Sequence, residues 1–235
     1  MYGFFGSLLV LILLSFQGLC QGSKSDSIRT SAKDSVNSPS YVSVGLDVSR
    51  LLLSSIPSGL SGAEMSVDFR KQKILTDFHI GFANHSKDFA TYRATSNGIY
   101  SGLGISRSLY KDEANVLAFG LRVMGSSFNY QPKSVLINRY AALGVDKVVL
   151  PESKNFAVWG ELNAVVRTRI TGWFMMGFEL RVKTMFYKQF SGFAPYFVPG
   201  YGIGKNSFSP GINYFIFVQI PKGKSRVGKT DKNIP

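Results

Sequence analysis

The sequence predicts an all-β fold: an eight-stranded antiparallel transmembrane β-barrel with short periplasmic turns and longer surface loops. Three observations lead there. Apolar and non-apolar residues alternate with period two from Tyr41 onward, the pattern of strands with two unlike faces. The connections between those segments alternate short and long. After an N-terminal apolar run, the chain has no apolar stretch of about 20 residues, which argues against membrane helices. Composition agrees: 45% of the 235 residues are apolar and 17% charged, too hydrophobic for a disordered polymer.

Residues 4–19 form the apolar run, short for a membrane span and followed by polar chain, so residues 1–20 are predicted to be a secretory signal peptide. Gly18 and Cys20 stand at a spacing that signal peptidase accepts, although a basic n-region is missing. Acylation of Cys20 is the competing reading, and Leu19 fits it poorly because small residues usually precede an acylated cysteine. Cys20 is the only cysteine. A mature chain without it has no disulfide, thiolate metal site or cysteine nucleophile. Residues 21–40, rich in Ser, Lys and Asp, read as a flexible periplasmic linker. Asp26-Ser27-Ile28 and Asp34-Ser35-Val36 resemble O-glycosylation signals of exported Bacteroidota proteins.

The strands follow in order, covering a predicted barrel domain of residues 41–221. Val42, Val44, Leu46 and Val48 alternate with Ser43, Gly45, Asp47 and Ser49; Ala63, Met65, Val67 and Phe69 alternate with Glu64, Ser66, Asp68 and Arg70. The third segment sets Ile74, Thr76, Phe78, Ile80 and Phe82 against Asp77, His79, Gly81 and Ala83, and the fourth sets Ile99, Leu103 and Ile105 against Tyr100, Gly102, Gly104 and Ser106. In the fifth, Leu117, Phe119, Leu121 and Val123 oppose Ala118, Gly120, Arg122 and Met124. In the sixth, Phe156, Val158, Leu162, Ala164 and Val166 oppose Trp159, Glu161, Asn163 and Arg167. The seventh sets Phe174, Met176, Phe178, Leu180, Val182 and Phe186 against Gly177, Glu179, Arg181 and Lys183. The eighth, Ile212 to Ile220, is apolar on both faces and its phase stays open. Strands of roughly ten residues suit a tilted bilayer crossing.

Short connections at 71–73, 111–115 and 169–172 alternate with longer ones, the last two at 131–151 and 188–210. This places both termini in the periplasm. A soluble lipocalin-like barrel or sandwich also alternates, with the two faces exchanged. Against it stand the near-continuous apolar face, the Gly- and Ser-rich opposite face, and Phe69, Phe82, Trp173, Phe174 and Phe186 near strand ends like an aromatic girdle.

With the apolar face outward, the other face fills a narrow lumen. Its expected occupants are Asp47, Glu64, Asp68, Asp77, Glu161 and Glu179 with Arg70, Arg122, Arg167, Arg181 and Lys183, together with His79 and Trp159. Near-balance of charge implies a paired polar plug, because an unpaired charge in a confined space costs several kcal/mol. A selective ion pore is expected to show one sign in a wider barrel, so little or no conductance is expected.

No catalytic, cofactor-binding or metal residues are assigned. His79 and His85 are the only histidines and Ser43, Ser66, Ser101 and Ser106 the candidate nucleophiles, but a lumenal mid-strand histidine reads as a hydrogen-bonded plug member. Gly200-Tyr201-Gly202-Ile203-Gly204-Lys205-Asn206 lacks the spacing and the Ser or Thr of a phosphate-binding loop. The tail, residues 222–235, carries five bases and one acid and reads as a disordered basic segment. Despite a net charge of +13, nucleic acid is a poor partner for an exported chain.

Gly120-Leu121-Arg122 with Ser126-Ser127-Phe128, Trp159-Gly160-Glu161, Met176 to Lys183, Val198-Pro199-Gly200-Tyr201-Gly202 and Asn213-Tyr214 occur in an order that resembles a family of small Bacteroidota outer-membrane barrels of formerly unknown function. The resemblance covers residues 41–221. It implies a non-enzymatic integral barrel. Members look like accessory subunits of the β-barrel assembly machine, partnered by other outer-membrane barrels and surface lipoproteins within a multi-subunit complex, and contacting outer-membrane lipid. An accessory barrel of the type IX secretion apparatus and a lipid A-modifying enzyme are the alternatives. On this reading Tyr130, Tyr196, Phe197 and Tyr201 in the long loops form the partner-docking surface.

Overall fold

The computed structural model describes residues 41–54, 59–89, 92–110, 114–133, 135–137, 146–148 and 151–221. The predicted signal peptide, linker and basic tail lie outside the described residues. Eight strands close into an antiparallel barrel: β1 (Tyr41–Asp47), β2 (Leu60–Lys71), β3 (Ile74–Asp88), β4 (Arg93–Ser108), β5 (Asn115–Lys133), β6 (Ser153–Arg169), β7 (Phe174–Gln189) and β8 (Phe208–Pro221). Each strand pairs with its neighbour in sequence, and β1 pairs with β8 to close the wall, Tyr41 facing Pro221 and Asp47 facing Phe215.

Alternation in the sequence becomes an alternation of burial. Along β3, Asp77, His79, Gly81 and Ala83 are buried while Thr76, Phe78, Ile80 and Phe82 are exposed. The same inversion runs around the wall: Phe69, Ile99, Leu103, Leu121 and Leu162 are all more than half exposed, whereas Glu64, Asp68 and Trp159 are fully buried. The barrel is polar inside and greasy outside. β8 has a definite phase: Ile212, Val218 and Ile220 are exposed, and Asn213, Phe215, Phe217 and Gln219 point inward.

Three features depart from the sequence reading. The first strand stops at Asp47, and Val48 to Ser54 form a helix, α1, where alternation points to two further strand residues. Asp47 caps that helix: its Oδ1 accepts the amides of Ser49 at 3.0 Å and Arg50 at 3.4 Å, so the chain turns helical where a carboxylate can satisfy the open N–H groups. Strands β2 to β8 are also longer than the roughly ten residues expected, β5 reaching 19. Toward the loop end the outward positions turn from apolar to polar, Asn84, Asn97, Asn129 and Lys154 standing opposite one another in turn across β3, β4, β5 and β6. Finally, β7 carries a bulge opposite Val158 and Trp159, because Val158 faces Tyr187 while Trp159 faces Met185. The extra residue is Phe186, and it and Tyr187 both lie exposed.

The β2–β3 hairpin closes through Gln72 and Lys73, with Gln72 at φ 56°. The long loops hold two short ribbons, Val135–Ile137 with Asp146–Val148 and Phe197–Val198 with Gly202–Ile203.

Candidate functional site in the lumen and its cap

The lumen is layered. Near the hairpin end, Val116, Ala118, Val165, Met175, Phe215 and Phe217 form one apolar cluster. Near the loop end, Tyr100, Met124, Phe128, Tyr130, Trp159 and Tyr201 belong to a second. A charged network lies between them. All thirteen residues expected in the plug are buried, none more than 5% exposed: Asp47, Glu64, Asp68, Arg70, Asp77, His79, Arg122, Trp159, Glu161, Arg167, Glu179, Arg181 and Lys183.

Strand register brings the network together. Asp77, Gly104, Arg122, Glu161 and Lys183 stand opposite one another in turn across β3, β4, β5, β6 and β7. Gly104 has no side chain, so Asp77 and Arg122 meet over it: Arg122 Nε donates to Asp77 Oδ1 at 3.1 Å and Nη2 to Oδ2 at 2.9 Å. Arg122 Nη1 donates to Glu161 Oε2 at 3.0 Å, and Nη2 lies 2.7 Å from Glu179 Oε1. Glu161 also accepts Trp159 Nε1 at 2.8 Å.

Arg181 forms the second hub, with Nη2 at 2.7 Å from Glu64 Oε1 and 3.1 Å from Glu179 Oε2. Glu64 also receives His79 Nδ1 at 2.9 Å and the Tyr100 hydroxyl at 2.9 Å. Toward the hairpin end, Arg167 is paired with Asp68 and lies 3.9 Å over the Phe217 ring. Arg70 donates to the Tyr41 hydroxyl at 3.2 Å and to the Gln72 carbonyl at 3.1 Å. Most of these buried charges are compensated by ion pairs inside the lumen, whereas the Lys183 ammonium donates to the Gly200 carbonyl.

The sequence reading misses one charged member of the plug. Arg50, on α1, reaches inward to Asp47 Oδ2 at 3.2 Å and Glu64 Oε2 at 3.1 Å, and lies over the Tyr100 ring. Added to the five bases expected there, it brings them level with the six acids. No strand alternation could reveal it, since it comes from the helix that interrupts β1. Asn213, which donates to Asp47 Oδ2, and Phe215 and Phe217 also escape the sequence reading, because β8 is apolar on both faces.

The docking residues divide. Tyr196 and Phe197 are half-buried, at the rim. Tyr130 and Tyr201 are 3% and 1% exposed, which corrects their placement on a docking surface. The 188–210 loop folds back over the barrel mouth. Gly200 turns at φ 81°, and a Cβ there would come within 2.6 Å of the Tyr100 ring, so the turn and the close approach both require glycine. Tyr201 then stacks edge-on against Trp159 at 5.7 Å and donates its hydroxyl to the Asn206 carbonyl at 2.7 Å. Ser96 Oγ holds the Phe197 carbonyl at 2.8 Å, and Lys87 Nζ donates to the Tyr196 hydroxyl at 2.7 Å. Exposed apolar groups at this end include Phe193, Ile203 and Tyr187.

Of the serine candidates, Ser43, Ser66 and Ser106 are buried in the lumen and Ser101 faces outward. His79 is committed to Glu64 through Nδ1, and its ring meets Phe215 edge-on at 5.8 Å. His85, at the rim, packs against Phe197 at 4.9 Å with Nδ1 donating to the Gly59 carbonyl at 3.2 Å. Among the described residues no three His, Cys, Asp or Glu side chains gather in a group that could hold a metal ion.

A protein family described as "Domain of unknown function (DUF6048)" matches residues 1–225 of the chain. No curated protein and no solved structure matches it.

Proposed function

The chain belongs to the DUF6048 family, and from the physics of its barrel we propose that it is an integral outer-membrane protein acting as a non-enzymatic scaffold. The observation that carries this reading is the inverted barrel. Phe69, Ile80, Phe82, Ile99, Leu103, Leu121 and Leu162 present an apolar wall while the charges lie inside. A continuous apolar surface of this kind is unstable in water and favourable in hydrocarbon. Pairing of the first strand with both β2 and β8 also closes the barrel, so the strands satisfy one another's backbone groups around the wall, as a bilayer demands.

A scaffold role follows from what the lumen offers. Two apolar layers bracket a salt-bridged filling, which supports a solid post rather than a channel, and the lumenal histidine is spent on holding Glu64, the partner of Arg181. Partner binding then falls to the outer wall and the loop end, where Phe193, Ile203, Lys87, Lys188 and Lys205 are exposed. The complex we propose is the β-barrel assembly machinery of Bacteroidota, reached by export through a cleaved signal peptide.

Affinity purification of the tagged full chain from native membranes in a mild detergent tests this. The expected result is membrane-pellet localisation and recovery with a large barrel and surface lipoproteins. Isolation as a lone monomer under every mild condition overturns the scaffold role, and recovery with secretion components reassigns the complex.

A further inference from the structure

The wall of the barrel is incomplete on one side. Pairing of β1 ends with Asp47 opposite Phe215 and Leu46 opposite Met65, yet β2 runs on to Leu60 and β8 to Phe208. Above Asp47 the two strands are separated by a notch that, among the described residues, α1 fills only in part. Ser49 Oγ accepts the Tyr214 amide at 3.3 Å there, and Leu51, Leu52 and Leu53 remain 39%, 63% and 42% exposed. A cavity of about 260 Å³ opens through the notch, lined by Leu53, Leu60, Gly62, Pro210, Gly211 and Ile212 on its way to Lys183.

Lys183 has no carboxylate within 4.0 Å among the described residues. Its neighbour across the strands, Glu161, is held by Arg122 and Trp159, and its ammonium donates to the Gly200 carbonyl at 2.6 Å. An ammonium has three donors. A glycine stands over it: a Cβ at Gly211 would lie 3.6 Å from Lys183 Cε and 3.8 Å from Nζ, so the absence of a side chain leaves the charge open to the notch. Lys183 sits opposite Ser209, near the loop end of β8, where lipid headgroups meet the wall of a membrane-embedded barrel.

We propose that this notch binds one bilayer lipid, its anionic phosphate headgroup on the Lys183 ammonium and its hydrocarbon running outward along Leu53, Leu60 and Ile212. The chemistry fits each end. A buried cation with spare donors favours an anion over a zwitterion, and the apolar rim faces the medium in which the acyl chain already lies. The cavity is below the size of pockets that enclose a whole ligand, so it takes a headgroup and leaves the chains in the bilayer. The inference rests on the membrane placement proposed above.

The test uses the purified full chain in detergent, stripped of lipid, with native mass spectrometry as readout. Phosphatidylglycerol, phosphatidylcholine and inorganic phosphate are titrated separately. The expected result is one phosphatidylglycerol per chain, held about tenfold more tightly than phosphatidylcholine, with inorganic phosphate displacing neither. Lys183→Met abolishes the preference. Gly211→Ala, whose added carbon sits at ordinary contact distance, weakens phosphatidylglycerol binding while the heat-dependent gel mobility of a folded barrel is kept, so the proposal stays testable should Lys183→Met fail to fold. Equal affinity for the two lipids, an unchanged preference in a folded variant, or displacement by inorganic phosphate overturns it. A chain recovered in the soluble fraction would instead overturn the membrane placement.

Discussion

Arg122 and Asp77 are joined by two parallel hydrogen bonds across an intervening strand, although 45 residues separate them in the chain. The strand between them contributes Gly104, opposite both. The geometry is the paired fork of a guanidinium on a carboxylate, the strongest form of charged hydrogen bond available to side chains. It requires that nothing occupy the space over Gly104.

Gly104 is therefore predicted to be intolerant of even a methyl group. A Cβ there would lie 2.1 Å from Asp77 Oδ1, and the carboxylate cannot swing away without leaving Arg122. Gly104→Ala is expected to lower stability by about 1–3 kcal/mol, the usual cost of overpacking, read from the urea midpoint of refolding into lipid vesicles. Gly160→Ala is the control: its nearest neighbour, Phe186 Cε1, is 3.5 Å away, and a shift within about 0.5 kcal/mol is expected. Equal effects of the two substitutions would show that Asp77 is free to move.

Removal of the hub itself should cost more than removal of one spoke. Arg122→Met leaves Asp77, Glu161 and Glu179 facing one another, with Arg181 the remaining ion-pair partner of the last two among the described residues. Breaking a buried pair by deleting one partner costs about 3–5 kcal/mol. Asp77→Asn keeps the volume and leaves Arg122 with its two glutamates, so a smaller loss is expected. The same unfolding measurement ranks the two variants, and a larger loss for Asp77→Asn would mean that Arg122 is not the centre of the network.

The layered lumen bears on conduction. Water must be excluded from the Phe215 and Phe217 layer below and the Trp159 and Tyr201 layer above for the pairs between them to hold. The protein in a planar bilayer is expected to give no stable open-channel current, and Tyr201→Ala, which removes part of the upper layer, is expected to leave it closed because the ion pairs and the lower layer remain. A steady ohmic current in the unaltered protein would contradict a continuous plug.

Much of this is legible in the sequence because period-two alternation reports which medium each face meets, and here the two faces differ sharply. Glu64, Asp77, Arg122 and Glu161 all fall on the minority polar phase of their strands, and all four are buried. Alternation fails where both faces are apolar, so β8 keeps its phase hidden and with it the stacking of Phe215 under Arg181 and Phe217 under Arg167. It fails again where a strand is cut short. Asp47 reads equally as an inward strand residue and as a helix cap, and only the second role brings Arg50 into the lumen. Loop tyrosines mislead for a third reason. Tyr201 lies in a polar, Gly-rich stretch that suggests solvent, but Gly200 turns the loop back into the mouth.

The rim, above the apolar band, offers a contact that weakens in acid. Burial against Tyr196 and Phe197 holds the His85 imidazole below its ordinary pKa of 6.5, with Lys87 adding to the effect and the bond to the Gly59 carbonyl opposing it. A base whose folded-state pKa is depressed binds fewer protons folded than unfolded, so its contribution to stability is fully present above 6.5 and is lost as pH falls through the lower folded value. Acidification from pH 7.5 to 5 should therefore loosen the seat of the 188–210 loop. His85→Phe keeps an aromatic ring without a titrating nitrogen and should blunt that loss. Limited proteolysis of the loop at the two pH values, in the unaltered chain and the variant, measures it. Equal acid sensitivity in both would move the cause away from His85, and greater protection at pH 5 in the unaltered chain would mean that the folded rim favours the protonated imidazole.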